Sequence, residues 1–132
     1  SFTQKQLLCS DLMKANVLKV TQEKKTLACV NIMSRKEIDS LVVIDQQGHY
    51  IGVLLIETIK DRGKAGDSIK SLITEDFPTV ALDTPAKTAF DIITSKQAGY
   101  VIVLTEDKKV AGIITKTSMS KALASVVWGE EQ

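Results

Sequence analysis

Several residue types are scarce in this chain, and each shortage excludes a class of function. Aromatic residues make up 5% of the 132 residues, so the core is expected to be aliphatic. With His49 as the single histidine, no Ser/His/Asp or Cys/His set for nucleophilic catalysis can be assembled, and no phosphate-binding loop motif is present. A formal net charge of +1 gives no strong field for recruiting nucleic acid. We therefore expect no catalytic residues, no cofactor and no nucleic-acid partner.

Cysteine and long apolar runs are also scarce. Cys9 and Cys29 form no CxxC pair and have no histidine cluster nearby. Because a structural zinc site needs about four ligands, we expect no metal site and interpret Cys29 as a small core residue. No run of about 18 apolar residues is present, so no membrane span is expected. Two cysteines that are not interpreted as a metal site, with Cys29 as a core residue, favour a reducing, cytoplasmic setting. The first residue is Ser1 and not Met, which suggests a fragment of a longer protein.

What the chain does contain is one pattern that occurs twice. In the second half, an apolar run from Tyr100 to Leu104 precedes a polar turn and a second apolar run, which is interrupted by Gly112. In the first half, the run 41–44, a polar turn and the run 50–56 with Gly52 have the same order. Two β-rich runs around a short polar turn predict a β-hairpin.

The elements around the hairpins repeat as well. A short helix, expected at about 5–14 in the first half, and a short strand precede a longer helix in each half. The second long helix begins at Asp83-Thr84-Pro85, a capping residue followed by a proline. A last helix is expected at 118–127. The halves superpose at an interval of about 60 to 62 residues, with Val20 matched to Leu82.

This order predicts an α+β fold made of two β-α-β-β-α repeats. We place the first repeat at 5–64 and the second at 65–128, with the charged, glycine-containing stretch 61–67 as the linker. Because neither repeat has enough surface to bury alone, the pair is expected to share one core.

The pattern resembles a tandem CBS-domain pair, also called a Bateman module. The resemblance rests on Asp11-Leu12-Met13, on Asp83-Thr84-Pro85 and on the two hairpins, and it covers about residues 7–127. Such pairs bind adenine nucleotides and regulate an attached enzyme or transporter. The resemblance therefore implies a regulatory domain and not an enzyme.

A departure from the family motif bears on the ligand. In nucleotide-binding members the returning strand ends in Gly-h-h-Ser/Thr-x-x-Asp, whose hydroxyl meets phosphate and whose Asp accepts from both ribose hydroxyls. The second copy here keeps the hydroxyl at Thr115 but has Ser118 in place of Asp, and the first copy, Gly52 to Thr58, lacks both. This disfavours AMP or ATP and favours a ligand whose ribose is tied into a phosphodiester ring, namely cyclic di-AMP.

The branch that fits resembles the CBS tail of the ATP-binding subunit of bacterial glycine betaine, carnitine and choline ABC transporters. There, the resemblance implies, cyclic di-AMP lies on the two-fold axis of a homodimer and down-regulates osmolyte uptake. The partners implied are the ATPase portion of the same polypeptide and, through it, membrane transporter subunits at the inner face of the cell membrane. The alternatives are a CBS pair that binds AMP, ATP or S-adenosylmethionine, and a ligand-free dimer that senses ionic strength.

The resemblance also implies a set of ligand-binding residues: Leu18, Ile38, Ser40, Tyr100, Ile113, Thr115 and Lys116. Tyr100 would stack on adenine, Ser40 would hydrogen-bond an adenine edge, and Lys116 would pair with phosphate. The alternative roles are a half-exposed strand tyrosine, core positions for the three aliphatic residues, and a solvated lysine. Trp128 is either a dimer contact or part of a longer tail.

Overall fold

The chain crosses twice between two units, after Asn16 and after Phe77. Residues Val17–Phe77 form what we call the continuous unit, and the residues before and after them form the discontinuous unit. The computed structural model describes the backbone of residues 6–130 and the side chains of residues 6–125.

The described elements follow one another in the order expected for an α+β tandem repeat. They are α1 (Cys9–Leu12), β1 (Lys19–Thr21), α2 (Thr26–Lys36), β2 (Ser40–Ile44), β3 (Tyr50–Leu55), α3 (Ile56–Arg62), a 3-10 helix (Ile69–Leu72), β4 (Ile73–Thr74), β5 (Thr79–Ala81), α4 (Ala86–Lys96), β6 (Tyr100–Leu104), β7 (Val110–Thr115) and α5 (Lys116–Glu130). Both predicted hairpins are confirmed. The first helix is much shorter than predicted, because Met13 is already extended.

The repeat interval is uniform, which corrects the predicted superposition. Lys19 of β1 is matched by Thr79 of β5, Thr26 of α2 by Ala86 of α4, and Ser40 of β2 by Tyr100 of β6, each 60 residues later. Val20 therefore corresponds to Val80 and not to Leu82. The two long helices begin at Thr26 and Ala86, so they are separated by the same 60 residues as the strands.

In the continuous unit the strand order is β1-β2-β3-β4. Strands β1 and β2 are parallel, and the β2–β3 hairpin and the β3–β4 pair are antiparallel. Alternate residues of the hairpin face a cluster that α2 and the 3-10 helix complete. Its buried members are Val20, Cys29, Met33, Leu41, Val43, Leu54, Ile69 and Leu72. The prediction of Cys29 as a core residue is confirmed, since its side chain is fully buried.

The stretch 61–67, predicted to be the linker between the two repeats, lies inside the continuous unit and does not join the two units. Its role as the link between the repeats stays a prediction. The first two residues of this stretch end α3, and the carbonyl oxygen of Asp67 accepts from the Thr26 backbone N–H at 2.8 Å and from the Thr26 hydroxyl at 2.9 Å. This charged, glycine-containing stretch forms a turn that caps the start of α2. The repeat boundaries at 5–64 and 65–128 and the shared core remain predictions.

The discontinuous unit has the strand order β5-β6-β7, with β5 parallel to β6 and β7 antiparallel to it. Its cluster of buried side chains consists of Cys9, Val80, Ala89, Ile93, Val101, Val103 and Ile114. Residues 7–14, which we call the N-terminal segment, belong to this unit. The Cys9 amide donates to Thr84 at 2.8 Å, and Lys14 and Ile113 exchange backbone hydrogen bonds at 2.9 and 3.0 Å. Burial raises the pKa of the Cys9 thiol to about 11, so it stays protonated.

The glycine shared by the two hairpins is explained by a close approach of the backbone. A Cβ atom at Gly112 would lie 2.6 Å from the Lys14 carbonyl oxygen and 3.0 Å from Met13 Cβ. A Cβ atom at Gly52 would meet Ile73 at 2.6 Å and would also clash with the carbonyl oxygen of Thr74. Glycine therefore leaves room for a neighbouring chain segment to pair with the returning strand of each hairpin.

No helix within residues 6–130 is long and apolar enough to cross a membrane. Among the same residues, no group of three or more His, Cys, Asp or Glu side chains could hold a metal ion.

Candidate functional site

Four of the predicted ligand-binding residues lie together at one end of the β6–β7 hairpin. Tyr100, the first residue of β6, is directly opposite Thr115, the last residue of β7. Ile113 is two residues before Thr115 and lies on the same face, and Lys116 begins α5. This face is opposite to the one that carries Val101, Val103 and Ile114 into the buried cluster. Ile113 is half-buried there, so it is not a member of that cluster.

The hydrogen-bond pattern brings the Tyr100 and Thr115 side chains close. Because Ile113 exchanges both of its backbone hydrogen bonds with Lys14, its N–H and C=O point away from β6. The N–H of Thr115, two residues later, points the same way. Tyr100 and Thr115 are therefore a non-hydrogen-bonded pair, in which Cα atoms are about 4.5 Å apart and side chains approach most closely. An aromatic ring and a hydroxyl are thus neighbours beside the start of α5.

The start of α5 is fixed by Ser118, a residue that sequence reasoning treated only as a lost carboxylate. The Ser118 hydroxyl accepts from the backbone N–H of Thr115 at 3.2 Å, and the two hydroxyl oxygens are 3.4 Å apart. Ser118 is only 5% exposed, whereas Lys116 and Thr117 are exposed. A hydrogen bond from the N–H of the residue before a helix to the side chain of its third residue is one of the two bonds of a capping box. The Thr-x-x-Ser spacing would have been the signal for it.

The other three predicted residues lie at the N-terminal ends of two adjacent strands in the continuous unit. Leu18 precedes β1, Ile38 precedes β2, and Ser40 is the first residue of β2. Since β1 and β2 are parallel, both strands begin at the same end of the sheet. Leu18 and Ile38 are 42% and 40% exposed, which removes the core alternative for both. Exposed aliphatic side chains beside a polar strand end provide an apolar surface for a flat base.

The equivalent hairpin end of the continuous unit lacks the polar groups of α5. Ser40 is opposite Leu55, which takes the place of Thr115, and Ile56 takes the place of Lys116. No side-chain hydrogen bond caps α3 at Leu55. Among the described residues, the combination of hydroxyl, lysine and helix start that suits a phosphate therefore occurs at α5.

Among the described residues the structure thus brings together Tyr100, Ile113, Thr115 and Lys116 in the discontinuous unit, and Leu18, Ile38 and Ser40 in the continuous unit. Trp128, expected at a dimer contact or in a tail, has its side chain outside the described residues.

Comparison with known proteins gives a family and several relatives. The family profile described as "CBS domain" matches twice, at residues 9–63 and 69–125. The chain is 25% identical over 120 residues to the carnitine transport ATP-binding protein OpuCA of Listeria monocytogenes, covering 91% of this chain and 30% of that protein. It is 26% identical over 121 residues to the glycine betaine/carnitine/choline transport ATP-binding protein OpuCA of Bacillus subtilis, covering 92% of this chain and 32% of that protein. The chain therefore spans about a third of the length of these relatives.

Among solved structures, CBSX2 in complex with AMP has a TM-score of 0.78 at 19% identity. The match covers 90% of this chain and 97% of that one. The likeness shows the fold that the strand order and the repeat interval already describe.

Proposed function

We propose that this chain, which belongs to the CBS domain family as a tandem pair, is a ligand-sensing regulatory domain that binds cyclic di-AMP as a homodimer. In this proposal it regulates an attached transporter ATPase, and ligand binding lowers osmolyte uptake. The carnitine and glycine betaine transport relatives support the transporter setting, because each aligns with almost all of this chain.

One observation carries the choice of ligand. The junction of β7 and α5 offers a hydroxyl at Thr115 and a positive charge at Lys116, and the third residue of α5, Ser118, is neutral and buried. These groups suit a phosphate oxygen, which only accepts hydrogen bonds. They offer no carboxylate to a free ribose diol, which needs an acceptor for its hydroxyl protons. A cyclic dinucleotide presents phosphates and no free diol.

The remaining candidate residues supply the base contacts in this proposal. Tyr100, opposite Thr115, presents an aromatic face beside the phosphate-binding groups. Leu18 and Ile38 present exposed aliphatic surface, and Ser40 offers a hydroxyl. Stacking and apolar contact bind a purine, and the hydroxyl reads its edge. A two-fold-symmetric ligand suits a dimer because each protomer would offer the same set of groups.

A second candidate, binding of AMP, is favoured by the likeness to CBSX2, which was solved with AMP. AMP carries a phosphate for Thr115 and Lys116, but its ribose keeps both hydroxyls. The two candidate ligands therefore differ in whether the ribose presents a free diol.

The two candidates are separated by a thermal-shift screen followed by isothermal titration. A ligand that binds only the native state raises the midpoint of unfolding by mass action. We expect cyclic di-AMP to raise the midpoint, with weaker shifts for AMP, ATP and S-adenosylmethionine at equal concentration. Cyclic di-GMP is the matched control, since it keeps the ring and changes the base. A larger shift with AMP would reject the cyclic di-AMP assignment in favour of the second candidate.

The regulatory part of the proposal requires the full-length protein with its transporter. A ligand can shift an equilibrium only by its differential affinity for two states. We expect cyclic di-AMP to lower ATP hydrolysis by the assembled transporter in reconstituted membranes, and the Lys116→Ala variant to respond only at higher ligand concentration. Unchanged hydrolysis at saturating ligand would contradict the regulatory role while leaving ligand binding intact.

A further inference from the structure

We propose that a cleft at the carboxyl ends of β5 and β6 binds a small zwitterion, a molecule with an ammonium group and a carboxylate on a short carbon skeleton. The cleft is lined by residues of the discontinuous unit and has a volume of about 770 Å³. Clefts of this size accommodate small molecules. The inference goes beyond the proposed function, because it concerns a second site and a second ligand and does not depend on cyclic di-AMP.

The cleft and the candidate site at Tyr100 and Thr115 lie at opposite ends of the same strands. Leu82 follows β5 and Leu104 ends β6, and both line the cleft. Tyr100 begins β6, four residues before Leu104. Because a strand rises about 3.3 Å per residue, the two sites are separated by about 13 Å along β6. A small ligand in the cleft therefore does not reach Thr115.

Half-buried aliphatic side chains give the cleft an apolar part. Leu82 and Ile92 pack against the buried cluster of the discontinuous unit, and each keeps part of its surface exposed in the cleft. Leu104 adds a third half-buried side chain. Transfer of carbon atoms from water to such a surface is favourable. This part of the cleft therefore suits the methyl groups of a quaternary nitrogen or the carbon chain of an amino acid.

Backbone hydrogen bonds hold both edges of the cleft in place. On one edge, the Thr84 hydroxyl accepts from the Ala81 N–H at 2.9 Å, and the Thr84 N–H donates to the Ala81 carbonyl oxygen at 3.2 Å. On the other edge, the Thr105 N–H donates to the Lys109 carbonyl oxygen at 2.8 Å, and the Thr105 carbonyl oxygen accepts from the Lys108 N–H at 3.0 Å. Edges that are already ordered lose little conformational entropy when a ligand binds.

The charged side chains of the cleft have both signs. Asp83 and Glu106 provide carboxylates and Lys108 provides an ammonium, and all three line the cleft and are exposed. None of them belongs to an ion pair within residues 6–125. Asp83 does not cap α4 either, since no side-chain hydrogen bond is present at the N-cap of that helix. Two negative groups and one positive group match a molecule that carries a cation and a carboxylate.

The matched side chains of the continuous unit are bonded to each other instead. Glu23 and Gln46 precede Asp83 and Glu106 by 60 residues, and Gln46 Nε2 donates to Glu23 Oε2 at 2.9 Å. In the discontinuous unit a second carboxylate replaces the amide, and a carboxylate has no proton to donate. The two negative charges repel each other, so a positive group between them is favoured. Since the same backbone carries both arrangements, the fold does not require the pair of carboxylates.

Titration of the ¹⁵N-labelled protein with glycine betaine, a zwitterion with a quaternary ammonium group, tests the site. We expect saturable shifts of the Thr84, Glu106 and Lys108 amide resonances, with a dissociation constant of roughly millimolar order, as suits about eight non-hydrogen atoms at an exposed site. The resonances of Tyr100 and Thr115 should not move. Absence of saturable shifts at the cleft, or shifts confined to Tyr100 and Thr115, would overturn the inference.

Glu106→Gln gives the cleft the amide that the other repeat has, and is the most informative variant. It removes one negative charge and lets Asp83 accept a hydrogen bond, as Glu23 does. We expect glycine betaine to bind about 5- to 30-fold more weakly, because an exposed charge contact is lost and the new hydrogen bond must be broken. Glu75→Gln makes the same change at an exposed position outside the cleft and should bind normally. Unchanged affinity of the Glu106→Gln protein would reject the inference.

Choline and the variant Lys108→Gly test the contact to the ligand carboxylate. Choline keeps the quaternary ammonium group but lacks the carboxylate, so at equal ionic strength it should bind the wild type about 1.5- to 5-fold more weakly than glycine betaine. Lys108→Gly should weaken glycine betaine by a similar factor and should not weaken choline. If choline bound as tightly as glycine betaine and Lys108→Gly weakened neither, the assignment of a zwitterion would be wrong.

These titrations are separate from the test of the proposed function, since they contain no cyclic di-AMP. Saturable binding at the cleft in a protein that does not bind cyclic di-AMP would support this inference and reject the ligand of the proposed function. The reverse result, with cyclic di-AMP bound and no shifts at the cleft, would overturn this inference alone.

Discussion

Tyr100 can act either as a strand residue that covers its neighbour or as a stacking surface for a purine, and affinity separates the two roles. Its position opposite Thr115 places the ring beside the proposed phosphate contact. Tyr100→Ala should weaken cyclic di-AMP binding roughly 5- to 150-fold, which corresponds to a stack of about 1–3 kcal/mol. Tyr100→Phe keeps the aromatic face and should lose little unless the tyrosine hydroxyl is hydrogen-bonded. Isothermal titration measures both, with circular dichroism as the folding control. A folded Tyr100→Ala protein that binds normally would exclude stacking.

Lys116 is exposed at the first position of α5, so its contribution should depend on salt. The Debye length falls from about 10 Å at 0.1 M salt to about 3 Å at 1 M. Lys116→Ala should therefore weaken cyclic di-AMP binding more at about 0.05 M salt than at about 0.5 M salt. Lys121→Ala, at an exposed lysine farther along α5, is the control and should bind normally. An equal loss at both salt concentrations would mean that Lys116 acts through the structure of the helix start.

At the scale of the element, the two hairpin turns have one backbone conformation but different residues. Gly48 has φ +88°, and its counterpart Lys108 has φ +66°. In this left-handed region a side chain costs about 1–2 kcal/mol, while glycine costs about 0.5–1 kcal/mol in chain entropy. Lys108→Gly should therefore stabilise the protein by about 0.5–1 kcal/mol, and Gly48→Ala should destabilise it by about 1 kcal/mol.

Urea unfolding measures the free energy of unfolding of both variants, provided that their m-values equal that of the wild type. Lys109→Gly is the matched control, because the φ of Lys109 is not positive and glycine there adds only unfolded-state entropy. It should destabilise slightly. The conformational explanation would be wrong if Lys108→Gly were as destabilising as the control.

The same turns show why the hairpins could be predicted and the helix starts could not. Apolar runs around polar turns are local signals, and the ends of β2, β3 and β6 lie within one residue of those predicted. The helix starts depend on partners far along the chain. The Thr26 amide bonds to Asp67, and the Ala86 amide bonds to Leu7. No local periodicity contains those pairings, so the sequence pattern alone did not show that the two halves align at 60 residues throughout.

For the whole molecule, the position of the N-terminal segment could not be predicted either, because it also depends on a pairing between residues far apart in the sequence. Lys14 pairs with Ile113 across almost the full length of the chain, and the room for it depends on Gly112. The sequence indicated that Gly112 mattered, because Gly52 occupies the same place in the first hairpin, but not what approached it. The candidate site was predictable to the extent that its residues follow a family motif. The hydrogen bond that Ser118 accepts could not be predicted, because the sequence shows only that a serine replaces the carboxylate of the motif and does not show the partner of that serine.

The oligomeric state is the property of the whole molecule on which the ligand proposal depends. Leu27 on α2 and Leu123 on α5 are 52% and 63% exposed, although both are large aliphatic residues. The residue of α4 that corresponds to Leu27 is Lys87, so the repeat does not need an aliphatic side chain at this position. Burial of such side chains in a second copy would be worth about 1.5–3 kcal/mol each. We expect a dimer with or without ligand, and expect Leu123→Asp to weaken it by introducing a charge into an apolar contact.

Light scattering coupled to size exclusion measures the mass at micromolar protein concentration. The wild type should have twice the monomer mass, and Leu123→Asp should shift towards the monomer mass on dilution. Lys121→Asp changes charge on the same helix at an exposed position and should remain a dimer. A monomeric wild type in the absence of ligand would contradict the constitutive dimer. If cyclic di-AMP then restored the dimer mass, the ligand itself would supply the interface, and affinity would rise with protein concentration because binding and association would be linked.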